Sequence, residues 1–330
     1  MTDVRGESEA ARGAAALFEL PSRGLLEVAG GDRVRWLDGM VSGDVKALAA
    51  AGPRSGCYAL VLTREGRIVA DVHVLARPDR LLLELERAAL PGALAHLDRY
   101  VVADDVRLAD VSGAFARLAV EGPAAADVLA AALGRPLALE PDAAAEVELA
   151  GRPALAAAFS LSGLPARQLF VAPEGAEAAG AALLAAGRAR GVAAAGADAL
   201  ELLRVEHGVP RFGRELTPEV LPAEARLERA VSETKGCYTG QEVVTRMRSR
   251  GRVSHLLVGL RFEAPGVAAG TELRAGERAV GAVTSVADSP RHGPIGLGFV
   301  RAAESEPGSG LLAGAVRARV AALPFDAAAA

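Results

Sequence analysis

The side chains best suited to chemistry gather in eight consecutive residues, Lys235-Gly236-Cys237-Tyr238-Thr239-Gly240-Gln241-Glu242. Cys237 stands two residues from Lys235 and just ahead of a helix predicted to begin near Gly240. A neighbouring ammonium and a helix N-terminus both favour the nucleophilic thiolate. Gly236 and Gly240 allow tight turns and close approach of backbone to a ligand. Gln241 offers a donor and an acceptor, and Glu242 accepts two hydrogen bonds, which suits the edge of a pterin or purine ring. The same residues also fit a plainer reading, an inert cysteine in a glycine-rich turn followed by a solvated helix start.

Composition sharpens that choice. The chain is rich in Ala, Gly and Arg and contains no Asn; Lys occurs only at 46 and 235, Gln only at 168 and 241, and Tyr only at 58, 100 and 238. Four rare types therefore meet in one octet, where the chain's bias would otherwise place Arg, Ala and Glu. Lys and Arg differ in hydration, donor geometry and ease of titration, so a retained Lys points to a task Arg cannot do. Cys57-Tyr58 is a second, smaller coincidence of rare types.

The elements that must position these residues are legible from periodicity. Gly24 to Gly30 alternates as a strand, and one helix is predicted from Gly31-Asp32 to the break at Gly52-Pro53. Strands at 57–63, 67–76 and 81–85 form a meander, followed by a helix from Pro91 to about Val102 and a short strand near Val106. Phe115 to Val120, a helix at 124–133, three more strands and an Ala-rich helix at 174–190 repeat the pattern. The spans 24–110 and 115–190 thus read as an internal duplication. Ala199 to Gly208 is a helix with Asp198 as the candidate N-cap. From about Ser254, short strands between Gly and Pro turns read as a small antiparallel barrel, with a frayed tail at 327–330. The expected class is α+β, a two-lobed region at 1–250 and a barrel domain at 251–326.

A net charge of −4 gives no global attraction to nucleic acid or to an anionic membrane. No secretory h-region or spanning stretch is visible, and two cysteines make no disulfide framework or dedicated metal set. These point to a cytoplasmic protein with no resident metal.

The strings Leu203-Arg204-Val205-Glu206-His207-Gly208-Val209-Pro210-Arg211-Phe212-Gly213, Leu221-Pro222-Ala223-Glu224 and Lys235 to Arg246 resemble the signature of the YgfZ family, and Gly281 to Ser285, Ser289-Pro290 and Leu323-Pro324-Phe325 are similar to that family's C-terminal barrel. The family is related to the glycine-cleavage T protein, an aminomethyltransferase that uses tetrahydrofolate. The resemblance implies a tetrahydrofolate-binding accessory protein for maturation or repair of iron–sulfur proteins, one of which modifies tRNA; the alternative is an aminomethyltransferase of the glycine-cleavage type. Its implied partners are a reduced folate and iron–sulfur clients. It implies Cys237 and Lys235 as the reactive pair, with Glu206, Asp71, Tyr238, Gly240, Gln241, Glu242 and Arg246 around the folate. Glu206 would pair with the pterin ring through two parallel hydrogen bonds. Asp71 matches the second acid of the relatives' Gly-Gly-Ile-x-Asp-Asp, with Ala70 in place of the first acid and Arg67 in place of the second glycine. These departures leave folate binding in place and weaken the case for transfer chemistry; Asp71 also fits an outward-facing strand position. Arg246, Arg248, Arg250 and Arg252 either meet a folate's glutamate tail or form a solvated face.

Overall fold

The computed structural model describes residues 3–250 and 253–326. The side chains of Arg248 and Arg250, residue Arg252 and the tail 327–330 lie outside the described residues.

The first lobe is a five-stranded antiparallel sheet in the order Gly56–Leu62, Ile68–Ala76, Arg80–Glu86, Arg23–Ala29, Arg107–Asp110. Alternation divides its side chains between two faces. Leu26, Val28, Val72, Val74 and Leu83 pack under the helices Arg33–Met40, Val45–Ala51 and Leu90–Asp98. Leu25, Leu75 and Leu82 point the other way and meet Ala144, Leu155, Ala157 and Phe170 of the second lobe.

That second lobe is a six-stranded sheet ordered Ala193–Ala195, Ala16–Glu19, Ala116–Glu121, Ala166–Val171, Arg152–Ala157, Ala144–Leu149. The helices Ala125–Leu133 and Ala176–Gly187 cover its outer face. Residues 23–110 and 116–195 run through a similar succession, a strand, a helical segment of two helices in the first lobe and one in the second, a three-strand meander, a helix and a closing strand. They differ where Ala16–Glu19 inserts beside the closing strand of the second sheet, pairing parallel with Ala193–Ala195.

The strands from His255 to Ala321 form a closed six-stranded barrel. Helix Ala197–His207 packs its residues against the barrel strands Arg278–Ser289 and Gly293–Arg301 on one side and helix Val4–Gly13 on the other.

Three local outcomes differ from the residue pattern. The helix expected from 31 to 52 is two helices, because Val41 to Asp44 turn away to bond elsewhere. Ser42 exchanges hydrogen bonds with Leu60, Asp38 Oδ1 accepts from Val45 N at 3.0 Å, and Asp44 caps the second helix through Ala47 N. Asp198 is not an N-cap: Gly196 holds that place and Asp198 falls in the first turn, where its charge still complements the helix dipole. Helix Val4–Gly13 and strand Ala16–Glu19 have no counterpart in the expected pattern, the strand being four residues whose partners lie about 100 and 177 positions away.

A buried ionic chain crosses between the lobes. Arg23 grips Glu84 with two 2.7 Å bonds, Arg117 reaches the same Glu84 at 2.7 Å and Gln168 at 3.3 Å, and Gln168 donates to Glu121 at 3.0 Å. Burial opposes ionisation of Glu84, and the two guanidiniums outweigh it, holding the carboxyl far below the usual range. Glu84→Gln leaves two buried arginines short of a counter-charge and is expected to cost about 3–5 kcal/mol. Since the folded-state pKa is depressed, this contribution is present at neutral pH and disappears as pH falls through the acid range. Urea unfolding of Glu84→Gln should therefore show a lower midpoint at pH 7 and a shallower loss of stability between about pH 5 and pH 2 than the parent.

Candidate functional site

A cleft of about 150 Å³ opens where the two sheets and helix Ala197–His207 converge. That is smaller than a drug-sized site and matches one ring system rather than a whole folate-sized molecule. Its wall includes Tyr58, Asp71, His73, Glu201, Arg211 and Arg229.

Asp71 lies on strand Ile68–Ala76, diagonally across from Tyr58, whose direct partner on that strand is His73. The Tyr58 hydroxyl donates to Asp71 Oδ2 at 3.0 Å. Burial, and then the Asp71 charge, push the phenol well above its ordinary pKa, so it stays a proton donor. Arg229 lies 4.6 Å from the Tyr58 ring centroid and covers it. His73 stacks on Phe159 at 3.8 Å and leans on Tyr58. The other oxygen of this carboxyl, Asp71 Oδ1, is buried and has no hydrogen-bond partner among the described residues. A buried acceptor left open is costly, and in a cleft wall it invites a ligand N–H or O–H.

Glu206 is placed differently from the pterin-pairing position the resemblance implies. It is not part of the cleft wall; one oxygen accepts from Arg12 and the other from Ser289 Oγ at 2.6 Å. The carboxylate that this helix presents to the cleft is Glu201, one helical turn and a little more earlier, and it pairs with Arg204 and Arg211. Burial works against ionisation of Glu201, and Arg204 overrides it, keeping its pKa low.

The octet forms a loop against the first lobe. The Lys235 side chain is 1% exposed, and its ammonium donates to three carbonyls: Asp38 O at 2.5 Å, Val41 O at 2.8 Å and Gly43 O at 2.7 Å. Two of these are the open carbonyls at the end of helix Arg33–Met40 and just beyond it, and Asp38 Oδ1 lies 3.3 Å away. Burial lowers the lysine pKa against the pull of Asp38. Three convergent oxygens match the three hydrogens of an ammonium and not the flat fork of a guanidinium. This gives the rare lysine a physical reason that lies in the loop, while Cys237 stands exposed on its surface. The thiol that shares the Lys235 field is Cys57, whose burial and then Asp142 raise it to about 12, so it is protonated and inert.

Tyr238 is buried beside Tyr58 and Leu60. Gly240 has φ +85°, and a Cβ there would meet Thr63 O at 2.6 Å, so only glycine brings the chain this close to the Thr63–Gly66 turn. Helix Gln241–Arg250 begins as expected; Glu242 is exposed and accepts from Arg246 at 2.6 Å. Gln241, Glu242 and Arg246 are not in the cleft wall, nor are Tyr238 and Gly240. The structure thus brings Asp71 together with Tyr58 and Arg229 at the cleft, and keeps the octet out of the cleft wall, with Tyr238 packed behind it in the Tyr58 cluster. Tyr58 carried a signal in its rarity; Arg229 carried none among so many arginines.

Residues 1–235 match the family described as the GCVT N-terminal domain, and residues 256–326 match the glycine cleavage T-protein C-terminal barrel domain. An aminomethyltransferase of Rubrobacter xylanophilus is 33% identical, over 98% of this chain and 86% of its own length. One of Saccharopolyspora erythraea is 32% identical, over 98% and 90%. The crystal structure of the glycine cleavage system aminomethyltransferase T from Bartonella henselae superposes with a TM-score of 0.86 at 25% identity, covering 98% of this chain and 89% of that one. No helix among the described residues is long and apolar enough to cross a membrane.

The lysine grip has a direct test. Lys235→Arg keeps the charge and should still destabilise by about 1–3 kcal/mol, because a carbonyl is left unpaired in a buried pocket. Hydrogen exchange should accelerate at Asp38–Asp44 and Ser232–Gly240 together; unchanged protection there would remove the lysine from its place as the loop's anchor.

Proposed function

We propose, for a chain that belongs to the aminomethyltransferase family of the glycine-cleavage T protein, that the interlobe cleft binds the ring end of a reduced folate, tetrahydrofolate or a derivative. The observation that carries this reading is Asp71 Oδ1, a buried acceptor with no partner among the described residues, in a cleft sized for one ring system. A reduced pterin offers amino and ring N–H donors, and the Tyr58 hydroxyl occupies the other carboxyl oxygen, which leaves this one open to them. Bound there, a reduced folate supplies a nitrogen that accepts or carries a one-carbon unit. His73, backed by Phe159, and the covered Tyr58 ring give that wall of the cleft an aromatic surface, and the guanidinium of Arg229 is a cation there suited to a carboxylate of the folate tail.

Two readings of the step after binding rest on different observations. The names of the relatives support transfer of the carbon of an aminomethyl group to the folate, with its nitrogen leaving as ammonia and the carrier sulfur as the free thiol. The Lys235-Gly236-Cys237-Tyr238 segment, with Cys237 exposed on an anchored loop, supports the accessory reading, in which the protein maintains iron–sulfur clients and Cys237 acts as a surface thiol.

Calorimetry with tetrahydrofolate tests the shared premise. The parent should bind, Asp71→Ala at least ten-fold more weakly, in line with about 1.5–3 kcal/mol for a hydrogen bond to a charged group. Glu206→Ala, compared at equal folded fraction, should lose much less. A parent that gives no heat and no competition sinks the folate reading. Incubation with an aminomethyl-lipoyl carrier and tetrahydrofolate then separates the two outcomes: ammonia release supports transfer, whereas no release, with Cys237→Ala failing to rescue iron–sulfur enzymes in cells, supports the accessory role.

A further inference from the structure

A second concavity, of about 430 Å³, lies on the outer wall of the barrel, away from the interlobe cleft. Four arginines line it, Arg261, Arg274, Arg317 and Arg319, with Glu263 as the lining carboxylate. Strand geometry dictates this grouping. Arg317 and Arg319 alternate on Val316–Ala321, so both project to the same outward face, about 6.5–7 Å apart. Arg261 is directly opposite Arg319 across the strand pair, and Leu312 stands between Arg317 and Arg274 in the adjoining register. Like charges directly opposite each other on a sheet cost stability.

The arginines of this wall are not equally engaged. Arg261 donates to Phe325 O at 3.1 Å, and Arg274 bonds Glu277 O and lies 3.4 Å from Glu272. The side chains of Arg317 and Arg319 are exposed and have no hydrogen-bond or ion-pair partner among the described residues, their backbones being paired in the barrel. Elsewhere on the barrel Arg278 pairs with Glu304, so the chain supplies counter-charges where it uses them. The floor is kept low by Gly276 and Gly310.

We propose that this groove docks a short acidic segment of a partner protein, with carboxylates on alternate residues of an extended chain. Such carboxylates repeat at the spacing of Arg317 and Arg319, and each can take a bidentate guanidinium. Charge complementarity selects the sign of the ligand. Length and surface select a peptide over nucleic acid: four arginines span a short run, Glu263 interrupts the positive rim, the whole chain carries −4, and the groove's one aromatic, Phe262, is 7% exposed and offers no stacking platform.

The test is fluorescence anisotropy with the full chain and a fluorescein-labelled peptide, acetyl-Gly-Glu-Ser-Glu-Ser-Glu-Gly, at low and at physiological salt. The parent should bind saturably and lose affinity as salt rises. The double variant Arg317→Gln/Arg319→Gln should bind at least ten-fold more weakly with a melting temperature at or above the parent's, and the Gln-for-Glu peptide should not bind the parent. Tetrahydrofolate affinity should be the same in parent and variant, which keeps this proposal separate from the folate reading. The idea fails if the parent does not bind the acidic peptide, if the double variant binds it as the parent does, or if a ten-nucleotide oligothymidylate binds the same arginines more tightly than the peptide.

Discussion

The two lobes keep their relation to one another through the ionic chain that runs from Arg23 through Glu84, Arg117 and Gln168 to Glu121. Apolar contact between the sheets is non-directional and would tolerate sliding, whereas a carboxylate shared by two guanidiniums tolerates little. Arg117 is fixed on its second face by the Phe170 ring at 3.7 Å. Glu121 extends the chain to the segment Ser160–Ser162, whose hydroxyls and backbone amides converge on it. That segment borders the cleft, and Arg23 forms part of the cleft wall. The shape of the cleft therefore depends on charges that mostly lie behind its wall, Glu84, Arg117 and Glu121 among them. Burial raises the pKa of Glu121 against those donors while arginines depress Glu84, so two carboxyls of one chain answer pH in opposite senses.

Helix Ala197–His207 serves the same end from another direction. It presents Glu201 to the cleft, sends Arg204 to Glu215 and Ser285, and gives Glu206 to Arg12 and Ser289. Cleft, barrel and N-terminal helix thus meet on eleven residues. A motif dense in charged residues drew attention to this helix, and its charges turn out to divide among three neighbours.

Much of this was open to a reader of the residues. Period-two alternation and Gly or Pro breaks give both meanders and the barrel, because each of these elements is local and half-buried. The octet's rarity has a structural counterpart in the carbonyl grip on Lys235 and the close approach at Gly240. What it could not convey is where that grip comes from: three carbonyls between Asp38 and Gly43 are non-local partners, and nothing in the sequence near Lys235 announces them. For Glu206 the difficulty is angular. Glu201 and Glu206 share one helix, and which of them faces the cleft depends on how that helix is rolled against the barrel. The pattern singles out Asp71 as a position, whereas its open oxygen depends on Tyr58, 13 positions away, occupying the other. The split of the predicted helix at Val41–Asp44 rests on Ser42 and Leu60, 18 positions apart, a distance beyond the reach of a helical window.

The inserted strand Ala16–Glu19 has a consequence for the order in which the molecule can be assembled during synthesis. The first sheet uses residues 23–110 alone and can close as soon as that stretch has left the ribosome. The segment made before it must wait, since its partners are Ala116–Glu121 and, on the other side, Ala193–Ala195. During that interval the apolar strand would stand unpaired beside a finished lobe, with both of its edges open. The last of its neighbours is also the strand that leads directly into helix Ala197–His207. Pairing of Ala16–Glu19 with Ala193–Ala195 therefore fixes the approach to the helix that shapes the cleft, and the cleft is complete only when two stretches about 177 positions apart have met.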